Sequence, residues 1–166
     1  MRFVFSIILG LGFILPLAAQ TLEERMRVAA GAYERNDFAT AISIWRPLAA
    51  QGNAEAQTLL GAMYWSGEGV PRDHREAVRL YLSAAQKGYA RAQNDIGFMY
   101  GFGEGTPPRD DVQAYKWLSL AIANYTVKNK DRRDQAIKDL ATVRARLSPG
   151  QRAEAERLVR EFRPAP

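Results

Sequence analysis

The chain has one histidine, His74, and carboxylates flank it at Asp73 and Glu76. Such a trio could move a proton or hold a metal ion. No nucleophile or second imidazole accompanies it, so a solvated histidine at a polar helix start is expected instead. Glu55, Glu68, Asp95 and Glu104 are further acid-base candidates. A hydrolase would need two of them to converge from different helices, and nothing but an internal repeat marks any pair. The glycine-rich turns at Gly67 and Gly103 could cradle a phosphate, but neither follows a strand or ends in Gly-Lys-Ser/Thr. Asp110-Asp111 lacks the further oxygen ligands of a calcium loop. Cysteine is absent, which excludes disulfides, thiol catalysis and cysteine metal sites. Neither a catalytic residue nor a cofactor nor a metal is therefore expected.

The elements that would position these residues are announced by repetition. Gly52 to Gly69 laid over Gly88 to Gly105 gives ten identities in eighteen positions, all at an offset of 36. A fixed period of this size marks a solenoid, whose units bury their apolar faces only against one another. Ala54, Ala56 and Gly61, matched by Ala90, Ala92 and Gly97, place small residues at helical spacing. Glycine inside a helix costs about 1 kcal/mol against alanine, so its recurrence predicts a close helix-helix approach. Met63-Tyr64 and Met99-Tyr100 supply core bulk, and Gly-Glu-Gly followed by Pro71 or Pro107 predicts a helix stop and a turn.

Ala-x-x-Leu-Tyr-x-x-Ala-Ala-x-x-Gly from Ala77 to Gly88, followed by Ala-x-Ala-Gln-x-x-x-Gly-x-Met-Tyr and Gly-Glu-Gly-x-Pro, resembles the Sel-1-like repeat, a relative of the tetratricopeptide repeat. The resemblance covers about Tyr33 to Tyr125. It implies an all-α fold, a right-handed α/α superhelix of antiparallel helix pairs serving protein-protein interaction, without cofactor or catalytic residues. Pro47 departs from the pattern and is expected to kink its helix.

Met1 to Ala19 reads as a secretory signal peptide. Arg2 precedes the apolar run Phe3 to Leu15, and Pro16-Leu17-Ala18-Ala19 offers small residues for cleavage after Ala19. The alternative is a retained anchor. Residues 20–125 form the repeats, with units at 37–72 and 73–109 and a partial unit from 110. Thr21 with Glu24 predicts a capping box opening a helix to about Arg35. A second stripe, Phe38, Ala41, Ile42, Trp45, Leu48 and Ala49, ends at Gly52, which is expected to be left-handed. A further helix is expected from about Arg75 to Lys87, and Ala114, Trp117, Leu118, Ala121 and Ile122 continue the pattern. Residues 126–166 form a C-terminal helical cap and tail. One helix is predicted over 134–147 and another from Ser148-Pro149 to about Phe162, with Arg163 to Pro166 a frayed end.

Charge divides the chain. Residues 21–127 hold 11 basic and 12 acidic residues, and residues 128–166 hold 11 and 6. The basic end could meet an anionic ligand, but its Asp and Glu residues interleave with Arg and Lys at ion-pairing spacings. Nucleic acid is not the expected partner, since no aromatic residues alternate with these cations.

The expected function is a non-enzymatic, exported interaction module, periplasmic or secreted, with a protein or peptide ligand and no membrane span after signal removal. With the family's geometry, the first helix of each unit would line the inner face, where Arg46, Arg79, Ser83 and Lys116 are the candidate partner contacts. The alternatives are a cell-envelope enzyme such as a wall hydrolase, or an anionic ligand held by the basic C-terminal end.

Overall fold

The computed structural model describes residues 21–103 and 107–166, so the apolar segment expected to be a signal peptide lies outside the described residues. Thr21 opens the first helix as expected: its hydroxyl accepts from the Glu24 N–H at 3.2 Å, and the Glu24 carboxylate accepts from the Thr21 N–H at 2.9 Å. Eight α-helices and no strand occur among the described residues. They are α1 (Leu22–Glu34), α2 (Phe38–Ala50), α3 (Ala54–Ser66), α4 (His74–Gln86), α5 (Ala90–Phe102), α6 (Asp111–Asn124), α7 (Lys130–Arg146) and α8 (Pro149–Glu161).

Short left-handed turns fold consecutive helices back on one another. Asn36, Gly52, Gly67 and Gly88 all adopt positive φ at helix ends. Asp73 and Asp110 cap α4 and α6, each accepting two backbone N–H groups at 3.0 Å. The extra proline after Gly105 is absorbed in the loop: Asp73 N–H reaches the Tyr64 carbonyl and Asp110 N–H reaches the Tyr100 carbonyl, both at 2.9 Å. The repeat therefore resumes in register.

Each helix through α6 packs on the next, and the tightest pairs are α3 with α4 and α5 with α6. The division at 37–72 and 73–109 cuts the stack one helix out of phase with these pairs. The recurring glycines explain their closeness. A Cβ on Gly61 would lie 3.3 Å from the Tyr81 ring, and one on Gly97 would lie 3.0 Å from the Leu118 backbone nitrogen. Trp45, Met63, Ile96 and Leu118 are fully buried along the axis of the stack.

Two local expectations, on the start of α7 and on the tail, are corrected, and a third element is defined around its proline. α2 runs on through Pro47 to Ala50. Ser43, whose carbonyl loses its intrahelical donor to Pro47, is exposed like the proline itself, so water can replace the missing N–H. α7 starts at Lys130 rather than 134, because the polar segment before Ala136 is supported by the Lys130–Asp134 ion pair instead of an apolar stripe. The C-terminal tail is tied down: Ala165 N–H donates to the Gln86 carbonyl at 2.8 Å. α7 closes the end of the stack, while α8 turns back over α6 and sets the Phe162 ring edge-on to Trp117 at 5.7 Å.

Candidate functional site

The helices form two layers. α3 touches α5 and α5 touches α7 somewhat more closely than α2, α4 and α6 touch one another. In a curved stack the more closely spaced layer is the inner one, so α3, α5 and α7 form the concave side. The first helices of the units at 37, 73 and 110, expected to line the inner face, lie in the other layer. The physical reason is visible in α4, whose single sharp apolar stripe packs inward and leaves Arg79 exposed.

A groove of about 370 Å3 lies along the concave side. Trp65 near the end of α3 forms one wall. On α5, Arg91, Asn94, Asp95 and Phe98 follow one another at helical spacing and face the same space, and Gln135 and Asp139 close it from α7. Trp65 is stacked on His74 at 4.1 Å between ring centroids. The histidine expected to be merely solvated is therefore a packing partner of the groove wall. Phe98 stacks on Phe102 at 5.1 Å yet keeps 47% of its surface exposed.

The polar floor is poorly satisfied. Arg91 Nε lies 3.9 Å from Asp95 Oδ2, a loose ion pair, and Arg91 Nε and Asn94 Oδ1 are buried with no hydrogen-bond partner among the described residues. Burial pushes the Asp95 carboxyl above the usual carboxylate range, against the opposing pull of Arg91, Asn94 and Arg132. Asp139 is 9% exposed and accepts from Gln135 Nε2 at 2.9 Å. Of the described candidates Glu55, Glu68 and Asp95, only Asp95 enters this groove. Glu55 is exposed, Glu68 accepts from the Tyr33 hydroxyl at 2.5 Å, and Glu104 lies outside the described residues. No cluster of three or more potential metal ligands occurs among the described residues.

The sequence-predicted contacts lie on the other layer. Arg46 is exposed on α2, and Arg79 on α4 grips Glu76 with two bonds of 2.7 and 2.6 Å. Ser83 is half-buried on α4. Lys116 on α6 holds its ammonium 4.2 Å over the Trp117 ring and 5.7 Å over Phe162, and burial lowers its pKa. The structure brings Lys116 to α8 and brings none of the four into the concave groove.

Cations of the basic end are engaged locally. Arg157 bonds both Glu154 and Glu161. Arg146 clamps Asp111 at 2.6 and 3.1 Å and the Gly101 carbonyl at 2.9 Å, fastening α7 to the last repeat.

Sequence reasoning missed Arg91, Asn94, Phe98, Gln135 and Asp139. A signal existed: Trp65 stands where the next unit has Gly101, so the repeat itself does not require an aromatic ring there. The stripe from Arg91 to Phe98 also breaks the repeat, facing Glu55, Thr58, Leu59 and Ala62 in the preceding unit.

Comparison with known proteins agrees with this geometry. The family described as Sel1 repeat matches residues 54–89 and 90–124, the two tight helix pairs. A protective antigen present in uropathogenic Escherichia coli strains and displaying an SLR fold is similar at a TM-score of 0.72 and 26% identity, over 84% of this chain and 29% of that one. A Sel1 repeat protein from Oxalobacter formigenes is similar at a TM-score of 0.55 and 25% identity, over 71% of this chain and 55% of that one. The chain thus spans under a third and just over half of these two structures. No curated protein matches it.

Proposed function

We propose that this chain, a protein carrying two tandem Sel1 repeats, is a non-enzymatic interaction scaffold of the cell envelope whose concave groove holds an exposed segment of a partner protein. Sel1 repeats are protein-interaction modules, and the proposal adds the surface and the place. One observation supports the surface: exposed Phe98 and half-buried Trp65 line the same groove as buried polar atoms of Arg91 and Asn94 that have no hydrogen-bond partner among the described residues. Apolar walls around convergent unsatisfied polar groups are what a binding site presents before its ligand arrives. Export rests on the N-terminal segment to Ala19. No described helix is long and apolar enough to cross a membrane.

Arg46, Arg79, Ser83 and Lys116 define the competing surface on the outer layer. The test is a pull-down from an envelope fraction with residues 20–166. Four baits are compared: the native chain, a Trp65→Ala/Phe98→Ala variant, an Arg46→Glu/Arg79→Glu variant and an Arg144→Gln/Arg157→Gln variant. A stoichiometric partner lost only with the first pair supports the concave groove. Loss only with the second pair moves the site to the outer layer. A partner retained by both but lost on neutralising Arg144 and Arg157 assigns binding to the basic end.

A further inference from the structure

We infer that the concave groove selects a partner segment presenting an arginine or lysine side chain, whose cation sits between Asp95 and Asp139 while its aliphatic stem lies along Trp65 and Phe98. The inference rests on the groove reading above and adds the chemistry of the ligand.

The groove has a surplus of acceptors. Asp139 is nine-tenths buried, and its one hydrogen bond among the described residues, from Gln135, occupies Oδ1. Oδ2 makes no hydrogen bond among the described residues. Asp95 has one ion pair among the described residues, the loose 3.9 Å approach of Arg91 Nε, with weaker pulls from Asn94 and Arg132, although its side chain is just 25% exposed. Asn94 adds a buried Oδ1 with no donor. Three acceptor groups from two helices therefore line one space, where Gln135 is already spent on Asp139 Oδ1 and Arg91 Nε is poorly aimed.

Burial disfavours the ionised form of Asp95, and the carboxylate of Asp139 is buried against the same space. A cation entering between them relieves that cost and satisfies the free lone pairs. An anionic or purely apolar ligand would worsen both.

The walls suit the rest of such a side chain. The stem of arginine or lysine is apolar up to its charged head, and guanidinium and ammonium groups favour aromatic faces. Trp65 and Phe98 stand at the rim, and each is stacked on one side by His74 or Phe102, which holds its ring in place for a guest on the other. A side chain that enters over them reaches the carboxylates at the floor.

The test uses residues 20–166 and two synthetic probes, acetyl-Ala-Leu-Arg-Leu-Ala-amide and the same peptide with citrulline in place of arginine. Citrulline keeps the shape and loses the charge. In an NMR titration the arginine peptide is expected to shift the Trp65 indole, Phe98 and Gln135 side-chain signals. The citrulline peptide should bind at least about tenfold more weakly, as should the arginine peptide to Asp95→Asn/Asp139→Asn. Because the citrulline comparison leaves the protein unchanged, it stands even if the double variant fails to fold. Equal binding of both peptides at the groove overturns the cation selectivity and leaves the groove reading intact. Shifts confined to other surfaces, or no shifts with either peptide, also overturn the inference. The Trp65→Ala/Phe98→Ala pull-down then decides separately whether the groove binds a partner at all.

Discussion

Gln93 Nε2 donates to the carbonyl of Ala85 at 3.1 Å, a bond that fastens the start of α5 to the end of α4. The earlier unit repeats it, with Gln57 donating to Ala49 at 3.0 Å. The amide oxygens differ. Gln93 Oε1 accepts from Asn124 Nδ2 at 2.9 Å, whereas Gln57 Oε1 is buried without a partner among the described residues. Gln93→Leu should therefore cost about 1–3 kcal/mol, because it strands a buried carbonyl and releases Asn124. Gln57→Leu should cost less, since it also removes a polar atom that was already unsatisfied. Urea denaturation of the two variants checks the order.

The two repeat glycines should respond unequally to alanine. Gly97→Ala brings a methyl against the Leu118 backbone and side chain at 3.0 Å, where relief requires α5 and α6 to move apart. A loss of about 1–3 kcal/mol is expected despite the helix-propensity gain. Gly61→Ala meets the Tyr81 ring at 3.3 Å, a contact a small ring displacement relieves, and should cost clearly less. Thermal melts of both variants measure the difference.

Arg146 anchors the closing helix, and its loss should be felt mainly above acid pH. Burial alone would raise the Asp111 carboxyl, but the Arg109 and Arg146 guanidiniums hold it below the usual carboxylate range. A depressed carboxylate adds stability that is present above its unfolded value and disappears as pH falls through its folded one. Arg146→Met should cost about 1–3 kcal/mol at neutral pH and flatten the acid limb of the stability curve. Denaturation midpoints from neutral pH down to pH 2 test this.

Asp95 has the opposite sign. Its folded pKa is raised, so the stability tied to its protonated form is present below the ordinary carboxylate value and lost as pH rises through the folded value. Asp95→Asn should therefore raise the melting temperature at pH 7 and remove that dependence. A drop in melting temperature would show that the carboxylate is structurally required.

Removing residues 162–166 should destabilise the outer layer. The truncation deletes the Phe162 ring on Trp117 and the Ala165 bond to Gln86, at a cost of about 1–3 kcal/mol. It also bares Lys116. Hydrogen exchange in α4 and α6 reads the effect locally.

The sequence by itself determined the local and periodic features of this protein. The 36-residue offset, the cap residues Thr21, Asp73, Asp110 and Ser148, and the glycines at 61 and 97 each act through neighbours in one helix or through the next helix in the chain. Their consequences are therefore legible from spacing. The tertiary structure decided which layer faces inward and what meets there. An amphipathic stripe separates core from solvent, but both the concave and the convex surface of a curved stack are solvent sides. The pattern that exposes Arg46 and Arg79 thus does not say which way they face. Trp65, Phe98 and Asp139 share a groove because α3, α5 and α7 lie side by side with α4 and α6 intervening in sequence. That adjacency follows from packing small-residue helix faces across the stack. The same holds for α8 and the tail, whose fold-back over α6 depends on Phe162 finding Trp117, forty-five residues away in the chain.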